Sequence, residues 1–286
     1  MEKTILAHGK VNLYLKVTGK RSDGYHLLRS FFHKISLCDE LTFFPTKANK
    51  ITIKCSDPNV PLDESNLAVK AAKALAKITG CNRGVLINIV KHIPIGSGLG
   101  GGSSNAAATL LALNNLWKTK VRHEDLLKIA LNLGADVPFF TSNYSAAWIE
   151  GIGEVILPVS VNSSLNMVLF KPDFPISSST AFTNSKFNFV SGPNGKTLIE
   201  KLSGGDPFIV GATMQNDLQP WAFDCYRELA ELKTSILRGN TKPIAVTMTG
   251  SGSTLMALYE NSEASNKAYK ELSNISKFVK VVTTLA

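Results

Sequence analysis

The sequence predicts a mixed fold of α-helices and β-strands, because segments typical of the two elements alternate along the chain. The apolar, β-branched run at 85–90 is typical of a buried strand, whereas 106–113 is rich in strong helix formers. With 286 residues the chain can bury a sizeable core, as one large or two smaller domains.

A glycine-rich loop at 93–105 joins that strand to that helix, and it holds five glycines and three serines. Glycine permits positive φ angles and lets a ligand approach the backbone closely. Ser103 or Ser104 is expected to cap the helix, whose first N–H groups would then face an anion. We therefore predict a phosphate site, with a flexible linker or an ordinary turn as the alternative.

Two named phosphate motifs fit this loop poorly. No Lys-Ser/Thr pair follows the glycines, so the loop is not a Walker A motif. Gly96, Gly98 and Gly101 match the dinucleotide pattern G-x-G-x-x-G, which also needs an acidic residue at the end of the next strand. Glu124 and Asp125 lie near that spacing but open a helix. The loop thus predicts a nucleotide phosphate site outside the dinucleotide-binding fold.

The net charge of +9 indicates an anionic partner, which is nucleic acid, a membrane surface or a phosphorylated small molecule. The basic residues are scattered, which disfavours nucleic acid, and a generally basic solvated surface remains the alternative for most of the lysines. No apolar stretch reaches about 18 residues, and the N-terminus lacks a signal peptide, so we expect a cytoplasmic protein without a membrane partner. The cysteines show no C-x-x-C spacing, and we expect free buried thiols rather than a zinc site at Cys38, Cys55, Cys81 and Cys225.

In the first part of the chain, residues 4–18 predict a strand that carries Lys10 and Asn12. A lysine in a strand is usually a solvated edge residue, unless other site residues converge on it. A loop at 19–26 and a helix at 66–78, capped by Asp63, Ser65 or Asn66, are also expected. Further strands are predicted at 30–37, 41–44 and 51–54.

The middle of the chain predicts two helices and a hairpin. The helix after the glycine loop has a core stripe of Ala106, Leu110, Leu113 and Trp117, and a second helix at 123–133 ends before Gly134. Asp136 follows in a tight apolar setting, where it is either a capping or turn residue or a functional carboxylate. Residues 146–154 predict the hairpin.

The segment 160–211 is rich in Ser, Asn, Gly and Pro and predicts a mobile passage into a second domain. A helix is expected from Asn216 to about Leu237. Strands at 244–248 and 255–259 flank a second glycine loop at 249–253. That loop is either a tight hairpin turn or a second wrap around the same phosphate chain.

Three motifs, taken in order, resemble the GHMP kinase family: 7–13, 94–106 and 249–253. The strings at 21–26, 134–140 and 150–154 resemble family members that act on a cytidine-diphosphate-linked methylerythritol. The likeness runs from Lys10 to about Tyr259, although Gln219 stands where the family pattern has glutamate.

The resemblance implies an α+β, two-domain GHMP kinase fold with the active site in the interdomain cleft. It implies an N-terminal domain over 1–158, which carries the phosphate loop, and a C-terminal domain over 159–286. The expected partners are small-molecule substrates, ATP and a cytidine-diphosphate-linked sugar alcohol, with no nucleic acid. The chain would act as a monomer or homodimer.

The resemblance also implies the site residues. Lys10 and Asp136 match the catalytic pair, and Ser104 would be a Mg²⁺ ligand. The substrate-binding positions are Asn12, Tyr25, His26, Phe182, Gly250 and Ser251. The ATP-binding positions are Asn66, Leu67, Lys91, Pro94, Ile95, Gly96, Ser97, Gly98, Leu99, Gly100, Gly101, Gly102, Ser103 and Ser104.

The implied reaction transfers the γ-phosphoryl group of ATP to the 2-hydroxyl of the methylerythritol. Asp136 would orient that hydroxyl and accept its proton, while Lys10 would keep Asp136 ionised. Three alternatives remain: a GHMP kinase for another small alcohol, a non-catalytic nucleotide sensor, and an RNA-binding protein, since part of the fold resembles a ribosomal-protein domain.

Overall fold

The structure is a computed structural model that describes residues 2–189 and 193–286. The remaining residues inside the chain, 190–192, belong to the Ser- and Asn-rich segment. The strands are β1 (Lys3–Lys20), β2 (His26–Thr46), β3 (Ile51–Cys55), β4 (Gly84–Val90), β5 (Ala146–Gly151), β6 (Val155–Val159), β7 (Asn166–Lys171), β8 (Gln215–Asn216), β9 (Ala245–Met248), β10 (Leu255–Tyr259) and β11 (Phe278–Thr283). The helices are α1 (Leu67–Thr79), α2 (Gly101–Leu116), α3 (His123–Leu133), α4 (Val137–Thr141), α5 (Ser178–Asn184), α6 (Gly195–Ser203), α7 (Pro207–Thr213), α8 (Gln219–Cys225), α9 (Arg227–Arg238) and α10 (Ser262–Leu272).

The chain forms two compact units, and each unit is built from separated segments. Unit 1 contains the start of the chain as far as Gly9, then Leu37–Ile95 and Gly100–Tyr144. Unit 2 contains Lys10–Ser36, Gly96–Leu99 and Ser145–Ala286. This division follows contacts in space, whereas the boundary at 158/159 divides the sequence into two continuous domains and stays a prediction.

In unit 1, strand β4 pairs in parallel with β3 and antiparallel with the end of β2. Helix α2 packs against α1, α3 and α4. The predicted stripe of α2 is confirmed, because Ala106, Leu110, Leu113 and Trp117 are all buried. Asn66 caps α1, since its side chain accepts a hydrogen bond from the N–H of Ala68 at 2.9 Å.

In unit 2, the first part of β2 pairs with β5, and β5 pairs with β6 in the predicted hairpin. Strand β1 pairs in parallel with β8. A second sheet has the antiparallel order β11-β7-β10-β9. One face of that sheet and the apolar sides of α8, α9 and α10 share a core that includes Val168, Phe170, Leu229, Ile236, Ala257 and Leu272.

The structure corrects the two strands predicted at 30–37 and 41–44, which are one continuous strand, β2. The adjacent acidic residues Asp39 and Glu40 are typical of a turn, but they lie inside this strand. Asp39 is completely buried, and its carboxylate accepts four hydrogen bonds from other segments of the chain. A buried charge is tolerated in a strand when it is paired in this way.

The predicted helix from Asn216 to Leu237 was also wrong, because α8 and α9 are separated at Tyr226. The ring of Tyr226 stacks on Phe174, with 5.0 Å between the ring centroids, and this packing offsets the interrupted helix. The described part of the segment 160–211 contains β7, α5, α6 and α7 rather than loop alone. All four cysteines are free, as predicted, but none is fully buried.

A buried histidine on β2 makes the stability of the fold depend on pH. His33 is 1% exposed, and its Nε2 lies 2.8 Å from the carbonyl oxygen of Leu285, to which it donates. Its Nδ1 is buried with no partner among the described residues. Protonation would place an unpaired N–H and a charge in the interior, so burial lowers the pKa of His33 to about 4.

We expect the free energy of unfolding to fall as the pH falls from 6.5 to 4, because the unfolded chain then binds more protons at His33 than the folded chain. The loss attributable to His33 is about 2 to 3 kcal/mol at about pH 4.5. Urea unfolding at about pH 7.5 and about pH 4.5 measures it. His33→Gln keeps an N–H donor without a titration, and equal losses in both proteins would contradict the assignment.

Candidate active site

The glycine loop turns through left-handed backbone conformations and leads directly into α2. The φ angles of Gly96, Gly98 and Gly100 are +58°, +75° and +74°. Residues with a Cβ adopt such angles only at a cost, which explains the spacing of the glycines. Gly100 has no side chain to cap α2, so the first N–H groups of the helix are left for another acceptor.

The structure corrects the expected serine cap of this helix. Helix α2 begins at Gly101, so Ser103 and Ser104 already lie in its first turn, and Ser104 is buried. A serine caps a helix only from the position that precedes it. Gly101 and Gly102 adopt helical angles here, so the helix starts earlier than the serines suggest.

The second glycine loop is longer than a tight hairpin turn and packs against the first loop. Strands β9 and β10 pair at Met248 and Leu255, which leaves residues 249–254 as the connection. A Cβ at Gly250 would lie 2.7 Å from the carbonyl oxygen of Gly98, and one at Gly98 would collide with the carbonyl oxygen of Thr249. The two backbones therefore approach each other at positions that only glycine can occupy.

Lys10 is a buried residue at this meeting point and not a solvated edge lysine. Its Nζ donates to Asn12 Oδ1 at 2.6 Å and to the carbonyl oxygen of Gly98 at 3.0 Å, and it lies over the ring of Phe32. The hydroxyl oxygen of Thr249 accepts from the N–H of Asn12 at 2.9 Å. Side chains of β1 thus hold an ammonium group beside both glycine loops.

Two residues that the sequence reasoning did not assign to the site support the second loop. Asn216 Nδ2 donates to the carbonyl oxygens of Met248, at 2.7 Å, and Gly250, at 2.8 Å. Gln219 Oε1 accepts from the N–H of Met248 at 3.0 Å, as a carboxylate oxygen would. Ser251 is buried, and its hydroxyl lies 2.9 Å from that of Ser178.

Asp136 immediately precedes the short helix α4. It occupies the N-cap position, but its carboxylate makes no hydrogen bond to the N–H groups of the helix. The capping interpretation is therefore wrong. Asp136 does lie in the turn between α3 and α4, and its interpretation as a functional carboxylate stays a prediction.

Three of the predicted ATP-binding residues lie around the first turn of α2. Leu67 Cδ1 is 3.5 Å from the position of a Cβ at Gly102, and Asn66 caps α1 directly before it. Lys91 Nζ is 3.1 Å from the position of a Cβ at Gly101. Within the loop itself, Ser97 and Leu99 are buried, Pro94 is half-buried, and Ile95 is 42% exposed.

The predicted nucleobase residues include an aromatic cluster at the start of β2. The ring of His26 stacks on Phe182, with 5.8 Å between the centroids, and meets the edge of Phe187 at 5.0 Å. Burial, and next the charge of Lys20, lower the pKa of His26, so its imidazole is neutral at neutral pH. Tyr25 is 61% exposed beside it.

Phe187 was missed by the sequence reasoning. It lies in a segment in which no family motif was recognised, and its only signal is the aromatic pair Phe187 and Phe189 in polar surroundings.

No helix in the described ranges combines the length and apolar character that a membrane crossing requires. The described residues also contain no cluster of three or more His, Cys, Asp or Glu that is arranged to hold a metal ion.

Comparison with known proteins identifies the class. The family model described as the GHMP kinases N terminal domain matches residues 66–144, and that described as GHMP kinases C terminal matches 198–276. The chain belongs to the GHMP kinase family, which implies the use of ATP.

Relatives over the whole length share one name. A 4-diphosphocytidyl-2-C-methyl-D-erythritol kinase of Prosthecochloris aestuarii is 38% identical over 94% of this chain and 93% of its own. The same-named kinase of Clostridioides difficile is 36% identical over 97% of this chain and 94% of its own.

Solved structures confirm the two-domain α+β fold. The crystal structure of a 4-(cytidine 5'-diphospho)-2C-methyl-D-erythritol kinase covers all of both chains with a TM-score of 0.82 and 32% identity. A homoserine kinase from Cytophaga hutchinsonii reaches a TM-score of 0.73 over 100% of this chain and 95% of its own. Its 17% identity shows the shared fold alone.

Gly98→Ala is expected to abolish most of the thermal stabilisation by MgATP, because the added Cβ would meet the second loop and Gly98 has a φ of +75°. A ligand at a hundredfold excess over its dissociation constant adds about 2.7 kcal/mol to the stability of the native state. Differential scanning calorimetry with and without MgATP measures the effect. Gly195→Ala is the control, since its Cβ would make only ordinary contact with Trp148. If MgATP stabilises folded Gly98→Ala as strongly as it stabilises the wild-type protein, the loop is not part of the nucleotide site.

Proposed function

We propose that this chain transfers the γ-phosphoryl group of ATP to the 2-hydroxyl of 4-diphosphocytidyl-2-C-methyl-D-erythritol, in the non-mevalonate route to isoprenoid precursors. The observation that carries the substrate is the aromatic cluster at His26, in a chain whose full-length relatives bear this substrate in their names. A cytosine ring would stack on Tyr25, and the neutral imidazole of His26 would bind the base edge.

The ATP phosphates would lie on the glycine loop and the N-terminus of α2. Positive φ angles and missing Cβ atoms expose backbone N–H groups there, and the helix dipole favours an anion. The second glycine loop, with Gly250 and Ser251, would contact the other substrate from β9–β10. Asn66, Leu67 and Lys91 would surround the rest of the nucleotide.

Asp136 and Lys10 would handle the proton of the attacking hydroxyl. The carboxylate of Asp136, which does not cap α4, would orient the hydroxyl and accept its proton. Lys10 is held by Asn12 and by the carbonyl of Gly98, so its charge is fixed without reorganisation when an alkoxide develops.

Mg²⁺ fits this arrangement as an ion bound largely by phosphate oxygens. Ser104 is a buried residue in the first turn of α2, and its hydroxyl is an oxygen ligand of the kind that Mg²⁺ accepts. The ion would neutralise charge on the transferring phosphoryl group. The proposal includes a cytoplasmic monomer or homodimer with no nucleic-acid partner, and domains at 1–158 and 159–286.

Asp136→Asn is expected to lower kcat by about 10²- to 10⁴-fold and leave the binding of both substrates nearly unchanged, because it keeps size but removes basicity. Lys10→Met should act in the same step, so the double variant should be far less impaired than the product of the single effects. Steady-state kinetics with ADP release as the readout measures this. Wild-type turnover of Asp136→Asn would make the carboxylate a structural residue.

The kinase should phosphorylate the cytidine-linked alcohol but not free methylerythritol 4-phosphate, mevalonate, homoserine or galactose, which leave the base site unfilled. Tyr25→Ala should raise KM for the cytidine substrate and leave KM for ATP unchanged, since a stacked base contributes about 1–3 kcal/mol.

Tyr25→Phe keeps the ring and should retain KM, and Tyr144→Ala removes a comparably exposed tyrosine elsewhere. Robust turnover of mevalonate or homoserine would defeat the substrate assignment and leave the kinase class standing.

A further inference from the structure

Asp39 is a completely buried carboxylate that no part of the proposed chemistry uses. It lies within β2, and its two oxygens accept four hydrogen bonds from residues of unit 1. Oδ1 accepts from the backbone N–H groups of His92 and Ile93, both at 2.8 Å. Oδ2 accepts from Lys91 Nζ at 2.5 Å and from Asn105 Nδ2 at 2.8 Å. Every lone pair of the carboxylate therefore has a donor.

These partners come from the two sides of the phosphate loop. His92 and Ile93 connect β4 to the start of the phosphate loop. Asn105 lies in α2, the helix that follows the loop. One carboxylate thus fixes the entrance to the loop relative to the helix that supplies its anion-binding end. Backbone N–H groups bind a phosphate well only when their directions are fixed before the ligand arrives.

The fourth partner brings a positive charge to the same helix end. The side chain of Lys91 is only 7% exposed, and its Nζ lies beside Gly101, the first residue of α2. The N-terminus of a helix carries partial positive charge, so a buried ammonium group there is unfavourable by itself. Asp39 supplies the anion that holds it, and the ammonium group has further N–H bonds for a second anion.

We infer that Asp39 is a positioning residue for the nucleotide: it holds Lys91 at the start of α2 and fixes the entrance of the phosphate loop. The inference rests on the proposed binding of ATP at this loop and is independent of which alcohol is phosphorylated. Asp39 itself touches no substrate. Its contribution passes through Lys91 and through the backbone of His92 and Ile93.

A purely structural role for Asp39 predicts a different result. A buried carboxylate that only stabilises unit 1 would, when replaced, lower the melting temperature and leave the ATP affinity of the folded protein unchanged. A positioning residue changes the affinity for ATP in protein that is still folded, and it spares KM for the alcohol. Affinity and stability must therefore be measured on the same variants.

The experiment is a double-mutant cycle of Asp39→Asn and Lys91→Met, with the dissociation constant of MgATP measured by titration calorimetry at a temperature where each variant is folded. Asp39→Asn replaces one carboxylate oxygen, which accepts hydrogen bonds, by an NH₂ group that would face the hydrogen-bond donors already around Asp39. We expect it to weaken MgATP binding by roughly one to two orders of magnitude, as lost orienting partners do. The double variant should bind far better than the product of the single effects predicts, because both changes remove the same fixed ammonium group.

Asp217→Asn is the matched control, because Asp217 also accepts a backbone N–H, that of Val17 at 2.9 Å, and a side-chain amide, that of Gln215. It should keep the wild-type affinity for MgATP. Wild-type affinity for MgATP in folded Asp39→Asn would overturn the inference. A double variant whose loss of MgATP affinity equals the product of the two single losses would also overturn it.

If Asp39→Asn alone does not fold, the exchange Asp39→Asn with Asn105→Asp restores one carboxylate and one amide to the pair. Weakened MgATP binding in that folded protein supports the inference, and unaltered binding overturns it. Failure of the wild-type protein to phosphorylate the cytidine-linked alcohol would defeat the proposed function, yet the calorimetric result for Asp39 would stand.

Discussion

The site depends on a backbone constraint: two chain segments approach each other where neither has a Cβ. Gly98 and Gly250 both adopt left-handed angles, and a side chain on either would collide with the other loop. This contact sets where the carbonyl of Gly98 points, and that carbonyl is an acceptor for Lys10. The position of the proposed catalytic ammonium group is therefore a consequence of glycine in both loops.

The second requirement is to hold positive charges in place before any phosphate binds. Lys10 and Lys91 are both buried, and each lies beside the phosphate loop. Lys10 donates to Asn12 and to the carbonyl oxygen of Gly98, and Lys91 is paired with the carboxylate of Asp39. These partners remove the desolvation cost that an unpaired ammonium group would have in the interior. They also fix the donors in place, so that binding need not reorganise them.

The sequence predicts what is encoded locally. The strand, loop and helix around the proposed phosphate site follow from glycine spacing and helix propensity. Capping chemistry narrows the cap of α1 to Asp63, Ser65 or Asn66, and the structure shows that it is Asn66. Asp39 was left between two predicted strands because its donors, which allow a charge inside a strand, lie 52 to 66 residues away in sequence. Asn216 and Phe187 were missed for the same reason, since their contacts with Met248 and His26 are visible only in three dimensions. The prediction of a serine cap for α2 was wrong, because the helix begins directly after Gly100, the last residue of the loop with a left-handed backbone conformation.

The proposed phosphate site and the proposed nucleobase site lie on different parts of the chain. Backbone N–H groups at a helix start bind a phosphate whatever the neighbouring side chains are. Selection among alcohols needs side chains that are left unsatisfied by the wrong substrate. In this chain the proposed side chains of that kind, His26 and its aromatic neighbours, belong to β2 and to the segment after β7. A change of the nucleobase that is recognised would therefore require changes in these side chains, while the first glycine loop could remain as it is.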